Sequence, residues 1–290
     1  MWTLLLLLGR AFLSASASTL QKRLTLDGLR GAEIWRITYA WMSLPALVAL
    51  ALTMKEPVHA GFWRDAALAG LLDALGNLAM LAALASTDLS VFGPLNGFRP
   101  VLALAFGWAF LGERVSWHGG LGVGVTVLGA ALLLSNPKSG KTPWTEAAWK
   151  TAGFRLLGLA LSTLASVPFK RALLAGPSGA TLGVWILCGL PVVWLGFRKA
   201  APASEEQAHA NPARRSRGLL FTHAAVFFAM QWLTLEIFRT TLLAYAFAFF
   251  QLAMVLQVLI GCWLFREGHL FRRLACCVVI GLGALLITIG

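Results

Sequence analysis

The chain has 290 residues, of which 58% are hydrophobic and 12% charged, and its formal net charge is +12. Soluble domains run about 45–50% apolar and about 25% charged, so this balance excludes a disordered chain and an ordinary soluble enzyme. The apolar residues recur in many blocks, which also excludes a single anchor on a soluble head. A membrane-spanning helix needs about 20 apolar residues. Ten such spans follow in chain order: 2–21, 34–53, 65–84, 89–111, 117–134, 149–169, 179–197, 219–238, 242–265 and 270–289. Each is apolar nearly all round, as lipid-embedded helices must be, because the backbone finds no water there. The expected fold is an all-α membrane protein of ten transmembrane helices.

Several local features have plain readings. The five leucines at 4–8, followed by Ala15-Ser16-Ala17, resemble a secretory signal, but no basic residue precedes them and Arg10 interrupts the run. The basic excess of 24 Lys and Arg over 12 Asp and Glu suits the flanks of spans, where such residues set orientation. It does not point to nucleic acid, because no basic stretch carries interleaved aromatics. The cysteines Cys188, Cys262, Cys276 and Cys277 all lie in apolar runs without the spacing of a metal site. Ser139-Gly140-Lys141-Thr142 resembles the end of a phosphate-binding loop, yet the earlier glycine and the preceding strand are missing. No cofactor is expected.

The chain repeats itself. A shift of 154 residues places Asn77 on Gln231, Thr87 on Thr241, Val101-Leu102 on Val255-Leu256, Gly107 on Gly261 and Glu113 on Glu267. Leu128-Gly129-Ala130 then falls on Leu282-Gly283-Ala284. Nearer each start the shift is 148, and Leu13-Ser14 meets Leu161-Ser162, Ala17-Ser18 meets Ala165-Ser166, and Lys22-Arg23 meets Lys170-Arg171. The polar segment 198–218 lies between the two windows and absorbs the six-residue change. The chain thus divides into a first five-helix unit at 1–136, a linker at 137–148 and a second five-helix unit at 149–290. Five is odd, so the second unit enters the membrane from the opposite side. Inverted repeats of this kind mark secondary transporters, because one packing used twice upside down gives two states of similar energy.

The run Phe106-Gly107-Trp108-Ala109-Phe110-Leu111-Gly112-Glu113-Arg114-Val115-Ser116, with the glycine-rich helix that follows to Gly129, resembles the EamA repeat. That repeat belongs to the ten-helix branch of the drug/metabolite transporter superfamily. The second copy, from Ile260-Gly261 through Glu267 to Gly283, is similar but has Phe265-Arg266 in front of its glutamate. The resemblance implies two inverted five-helix repeats, transport by alternating access and export of a small organic metabolite. It also implies that spans 5 and 10 lie away from the substrate cavity; their glycines suit packing within a monomer or a homodimer surface.

Candidate functional residues are those that cost most in a membrane. Ionisable groups within spans are Arg10, Arg36, Asp73, Arg99 and Arg155. Arg10, Ser14 and Ser18 share one face of span 1, and Arg155, Ser162, Ser166 and Lys170 form a similar face on span 6. Those serines suit either close helix packing or a cavity wall. Arg10 and Arg155 are near enough to an edge to snorkel. Asp73 and Asn77 share a face of span 3; Asn96 and Arg99 share one of span 4, beside Pro94 and Pro100. Tyr39 on span 2, Gln231 on span 8, and Gln251 and Gln257 on span 9 complete the candidate substrate-binding set with Arg10, Ser14, Arg36, Asp73, Asn77, Asn96, Arg99, Ser162 and Ser166. Asp73 is expected either to pair with Arg36 or Arg99 or to handle substrate and protons. Glu113 and Glu267 are expected to cap the helix that follows each.

The leading expectation is a secondary transporter for an amino acid or an organic anion, with small-molecule substrate and membrane lipids as partners and Asp73 as the available proton carrier. A lipid or lysolipid flippase on the same fold is the alternative. An intramembrane enzyme is disfavoured, since Gly-x-Ser-x-Gly, paired aspartates and His-Glu-x-x-His are all missing. Basic residues of the connections opposite the termini outnumber those on the termini side by fourteen to six, which places both termini outside; the resemblance implies cytoplasmic termini. A multi-pass protein of the bacterial inner membrane is expected.

Overall fold

The computed structural model describes residues 2–84, 98–134, 146–196, 216–253, 255–256 and 270–289. Among these the regular structure is helical: α1 (Trp2–Leu26), α2 (Gly31–Thr53), α3 (Phe62–Leu84), α4 (Arg99–Leu111), α5 (Trp117–Leu134), α6 (Glu146–Leu164), α7 (Ser166–Ala175), α8 (Ser178–Gly196), α9 (Arg217–Thr240), α10 (Leu243–Phe250) and α11 (Leu270–Ile289). Five helical stretches among the described residues are long and apolar enough to cross a membrane. Large apolar side chains such as Trp2, Leu44, Leu52, Trp108, Trp117 and Leu195 cover the outside, as a lipid-facing surface requires.

The bundle is interleaved. α1 packs on α9 and α3 packs on α6; α2 packs on α8, α4 on α10 and α5 on α11. α3 also contacts α7 and α8, and α9 contacts α2. Exchanging the two halves of the chain maps this set of pairings onto itself. α1 is thus an integral member of the core, with Leu6, Leu7, Ala11 and Ala15 buried.

Close approach explains two of the crossings. A β-carbon on Gly76 of α3 would stand 2.7 Å from the Ser162 nitrogen, and one on Gly158 of α6 would stand 2.7 Å from the Gly76 oxygen. Backbone meets backbone there. In the same way Gly129 of α5 faces the Ile280 backbone and Gly283 of α11 faces Thr126 and the Gly122 oxygen. This small-residue face is therefore occupied within the chain, while Gly120, Gly124 and Gly281 look onto open space. Overpacking a tight crossing costs about 1–3 kcal/mol. Gly283→Leu is expected to lower the melting temperature by several degrees; an unchanged melt would mean that α5 and α11 do not meet this way.

The sixth span is broken into α6 and α7 at Ala165. Pro168 supplies the cause: it has no N–H for the Leu164 carbonyl. The Ser166 hydroxyl donates to the neighbouring Thr163 oxygen at 2.5 Å, at the same turn. α4 begins at Arg99 with Pro100 in its first turn, where a missing N–H is tolerated. It ends at Gly112, whose φ of 66° is left-handed and so favours glycine.

Candidate functional site

A cavity of about 350 Å³ lies at the centre of the bundle. Its polar wall comes from α1 (Arg10, Ser14), α3 (Asp73, Asn77), the start of α4 (Arg99), the broken span (Ser162, Ser166) and α9 (Gln231, Thr234). Its apolar wall is aromatic, with Trp35, Phe169, Trp185, Phe227, Phe238, Phe247 and Phe250.

The Arg10 guanidinium stacks on Phe250, its carbon 3.4 Å from the ring centroid, and its Nε donates to Thr234 Oγ1 at 3.4 Å. Arg10 turns inward and does not snorkel. Arg99 donates through Nη2 to Ser162 Oγ at 3.2 Å and towards Met80 Sδ at 3.7 Å, and its buried Nε has no partner. Asp73 accepts from Asn77 Nδ2 at 3.1 Å. The ion pairs among the described residues are Arg30–Glu33, Arg64–Asp65 and Lys170–Glu113. Neither Arg99 nor Arg36 comes within ion-pairing distance of Asp73. Among the described residues the cavity therefore carries two guanidiniums and one carboxylate, none of them ion-paired.

Eight of the residues expected from the sequence line this cavity: Arg10, Ser14, Asp73, Asn77, Arg99, Ser162, Ser166 and Gln231. Arg36 lies in a separate hollow with Glu33, Trp41 and Trp194, its guanidinium carbon 4.5 Å from the Trp194 ring centroid. Tyr39 is buried behind the wall, between Trp35 and Trp185 at 5.9 and 6.1 Å. Gln251 is buried outside the lining, and Arg155 is buried with its Nε unpartnered, also outside it. Asn96, Gln257 and Glu267 lie outside the described residues. The sequence reading missed most of the aromatic wall. Phenylalanines in a chain this apolar carry no periodic signal that separates cavity from lipid.

The role of Glu113 needs a correction. It does not cap the helix that follows it: Ser116 does that, accepting the Gly119 N–H at 3.0 Å. Glu113 Oε2 instead accepts the Leu243 N–H at 2.8 Å, capping α10 in the other half of the chain. Its Oε1 accepts from Lys170 Nζ of α7 at 2.5 Å. The tight turn at Gly112, closed by the Glu113 N–H to Gly107 oxygen bond of 3.1 Å, aims the carboxylate across the bundle.

Fold and site together define a multi-pass α-helical membrane protein built around a polar, aromatic-walled chamber. Residues 1–135, a little under half of the chain, match the EamA-like transporter family. A solved crystal structure shares the fold with a TM-score of 0.78. That likeness covers 99% of this chain and 96% of the other at 15% identity. No curated protein matches.

Proposed function

We propose that this protein is a secondary transporter that moves a small organic metabolite bearing a carboxylate or phosphate, an amino acid or an organic anion, by alternating access between two inverted five-helix repeats. The observation that carries the reading is the charge of the chamber: among the described residues Arg10 and Arg99 face it without ion-pair partners, and the carboxylate set against them is that of Asp73. A buried guanidinium is costly unless something neutralises it, and an anionic substrate would do so. The aromatic wall suits the apolar body of such a molecule, and Asp73, held by Asn77, is placed to meet an ammonium or a coupling proton. Export across the bacterial inner membrane is the direction we favour.

The test is a thermal-shift screen of the purified protein against amino acids, organic acids, phosphorylated metabolites and lysolipids. A ligand that binds the folded state raises its apparent stability, by about 2.7 kcal/mol at a hundred times Kd. A shift by an anionic metabolite, lost in Arg99→Gln, is the expected result. Shifts by neutral compounds alone would make the arginines structural, and shifts by lysolipids alone would favour the flippase.

A further inference from the structure

On the outer face of α2, apart from the chamber, lies a hollow of about 500 Å³. Among the described residues it is lined by Glu33, Arg36, Ile37, Ala40 and Trp41, with Trp194 of α8 as its far wall. α2 has 23 residues, about 35 Å at the helical rise, against a hydrocarbon core of about 30 Å. Its ends therefore reach the headgroups. Arg36 stands near the start of α2 and Trp194 near the end of α8. The two helices run antiparallel, since Gly179 and Gly183 at the start of α8 meet Thr53 and Leu50 near the end of α2. Arg36 and Trp194 thus meet at one membrane face, at the depth where tryptophans border the headgroups.

The charges of this hollow are unevenly matched. Glu33 accepts the Arg30 N–H at 3.0 Å and Arg30 Nη2 at 3.4 Å, so its carboxylate is already engaged. The Arg36 guanidinium carbon lies 4.5 Å from the Trp194 ring centroid. Among the described residues it has no ion pair. A ring attracts the charge, but it takes none of the five N–H donors as an oxygen would. The hollow offers a positive charge and free donors at headgroup depth.

One turn deeper the same face of α2 continues as a groove. Ile37, Trp41, Leu44, Val48 and Leu52 follow one another at helical spacing, and the last four are exposed. Trp41 stands edge-on to Phe221 of α9 at 5.4 Å. Beyond it Leu44, Val48 and Leu52 line a second hollow of about 440 Å³, walled on the α9 side by Phe228 and Trp232. Thr53 also lines it, and its hydroxyl is spent on the Ala49 oxygen at 2.7 Å. A cationic end that leads into an apolar groove has the shape of an amphiphile. A small soluble anion would fill the first hollow and make no use of the second.

We propose that these two hollows form a binding site for one phospholipid of the surrounding leaflet, with its phosphate on Arg36 and one acyl chain along Leu44, Val48 and Leu52. Basic pockets between spans bind anionic headgroups. The site favours a headgroup without an ammonium, because the Glu33 carboxylate that would meet one is held by Arg30. The lipid would lie against α2, α8 and α9 and so bridge both halves of the chain. The site is separate from the chamber and stands or falls apart from the transporter reading.

The experiment titrates dioleoyl phosphatidylglycerol and dioleoyl phosphatidylcholine into the delipidated full chain in detergent. Retained lipid is counted by native mass spectrometry, and the melting temperature is followed, since a ligand of the folded state raises it. Phosphatidylglycerol is expected to bind at least threefold more tightly than phosphatidylcholine. Arg36→Gln should remove that preference, Arg36→Lys should keep part of it, and Arg64→Gln, at the opposite end of the bundle, should keep all of it. Val48→Trp fills the groove and should weaken both lipids at least threefold. Equal binding of phosphatidylglycerol to the parent and to Arg36→Gln overturns the site. So does displacement of the lipid by glycerol phosphate at comparable affinity, which would mark a site for soluble anions. A preference lost in Arg99→Gln and kept in Arg36→Gln overturns it as well and places the lipid in the chamber, as a flippase requires. If Arg36→Gln gives no monodisperse protein, Arg36→Lys and Val48→Trp decide: parent-like binding by both overturns the site.

Discussion

Arg99→Gln is expected to weaken recognition of a carboxylate- or phosphate-bearing substrate by roughly ten- to a hundredfold, with little change in the melting temperature. Losing a charge-assisted hydrogen bond costs about 1.5–3 kcal/mol, and each 1.4 kcal/mol is about tenfold in affinity. Within the protein Arg99 holds only the Ser162 hydroxyl and the Met80 sulfur by its described side-chain bonds, and Nε goes unused. Under the proposed function, this unused donor capacity on the chamber wall is what a substrate anion would take up. The measurement is KM and kcat in proteoliposomes with whichever metabolite the thermal screen selects. Arg99→Lys should recover part of the loss, since charge survives but the planar fork does not. Wild-type transport by a well-folded Arg99→Gln protein would remove Arg99 from the site, and collapse of the fold would make its role structural.

The largest effect on folding is expected at the crossing of α3 and α6. A side chain on Gly158 would run into the Gly76 oxygen at 2.7 Å and the Met80 nitrogen at 2.9 Å. Neither obstacle is a side-chain tip that can swing aside, so the helices must separate. Gly158→Leu should leave little monodisperse protein in detergent by size exclusion, and Gly158→Ala should give an intermediate yield with a lower melting temperature. Separation would also pull Ser162 from Arg99, so a surviving Gly158→Ala protein should show weakened substrate binding as well. Normal yield and melt for Gly158→Leu would mean that the two helices do not pack backbone to backbone.

Much of the architecture was legible before any coordinates because the membrane restricts what a chain can do. Apolar blocks of helical length can only be spans, and ionisable groups within them can only face protein or water. That logic found Arg10, Asp73 and Arg99 together, although they lie on three different spans. It misplaced Arg36 because depth in the membrane is readable from sequence, whereas rotation of α2 about its own axis is set by its packing on α8 and α9. Glu113 was read as a cap from its position at a turn, and it is one, but of α10. A carboxylate's partner 130 residues away leaves no local trace. The break at Ala165 is the clearest case of a legible cause left unread: Pro168 was in plain sight, and the span around it still looked continuous by hydropathy.

The interleaving of α3 with α6, α7 and α8, and of α1 with α9, sets the order in which the molecule can be made. When the first five spans leave the ribosome, the helices they will pack against do not yet exist. Arg10, Asp73 and Gly76 must wait in the bilayer with lipid or water where protein will later be. The first half is therefore an incomplete insertion intermediate, poorest in partners where the finished protein encloses its chamber. Its charges become tolerable only when the second half arrives to enclose them, so chamber and fold are completed in the same event.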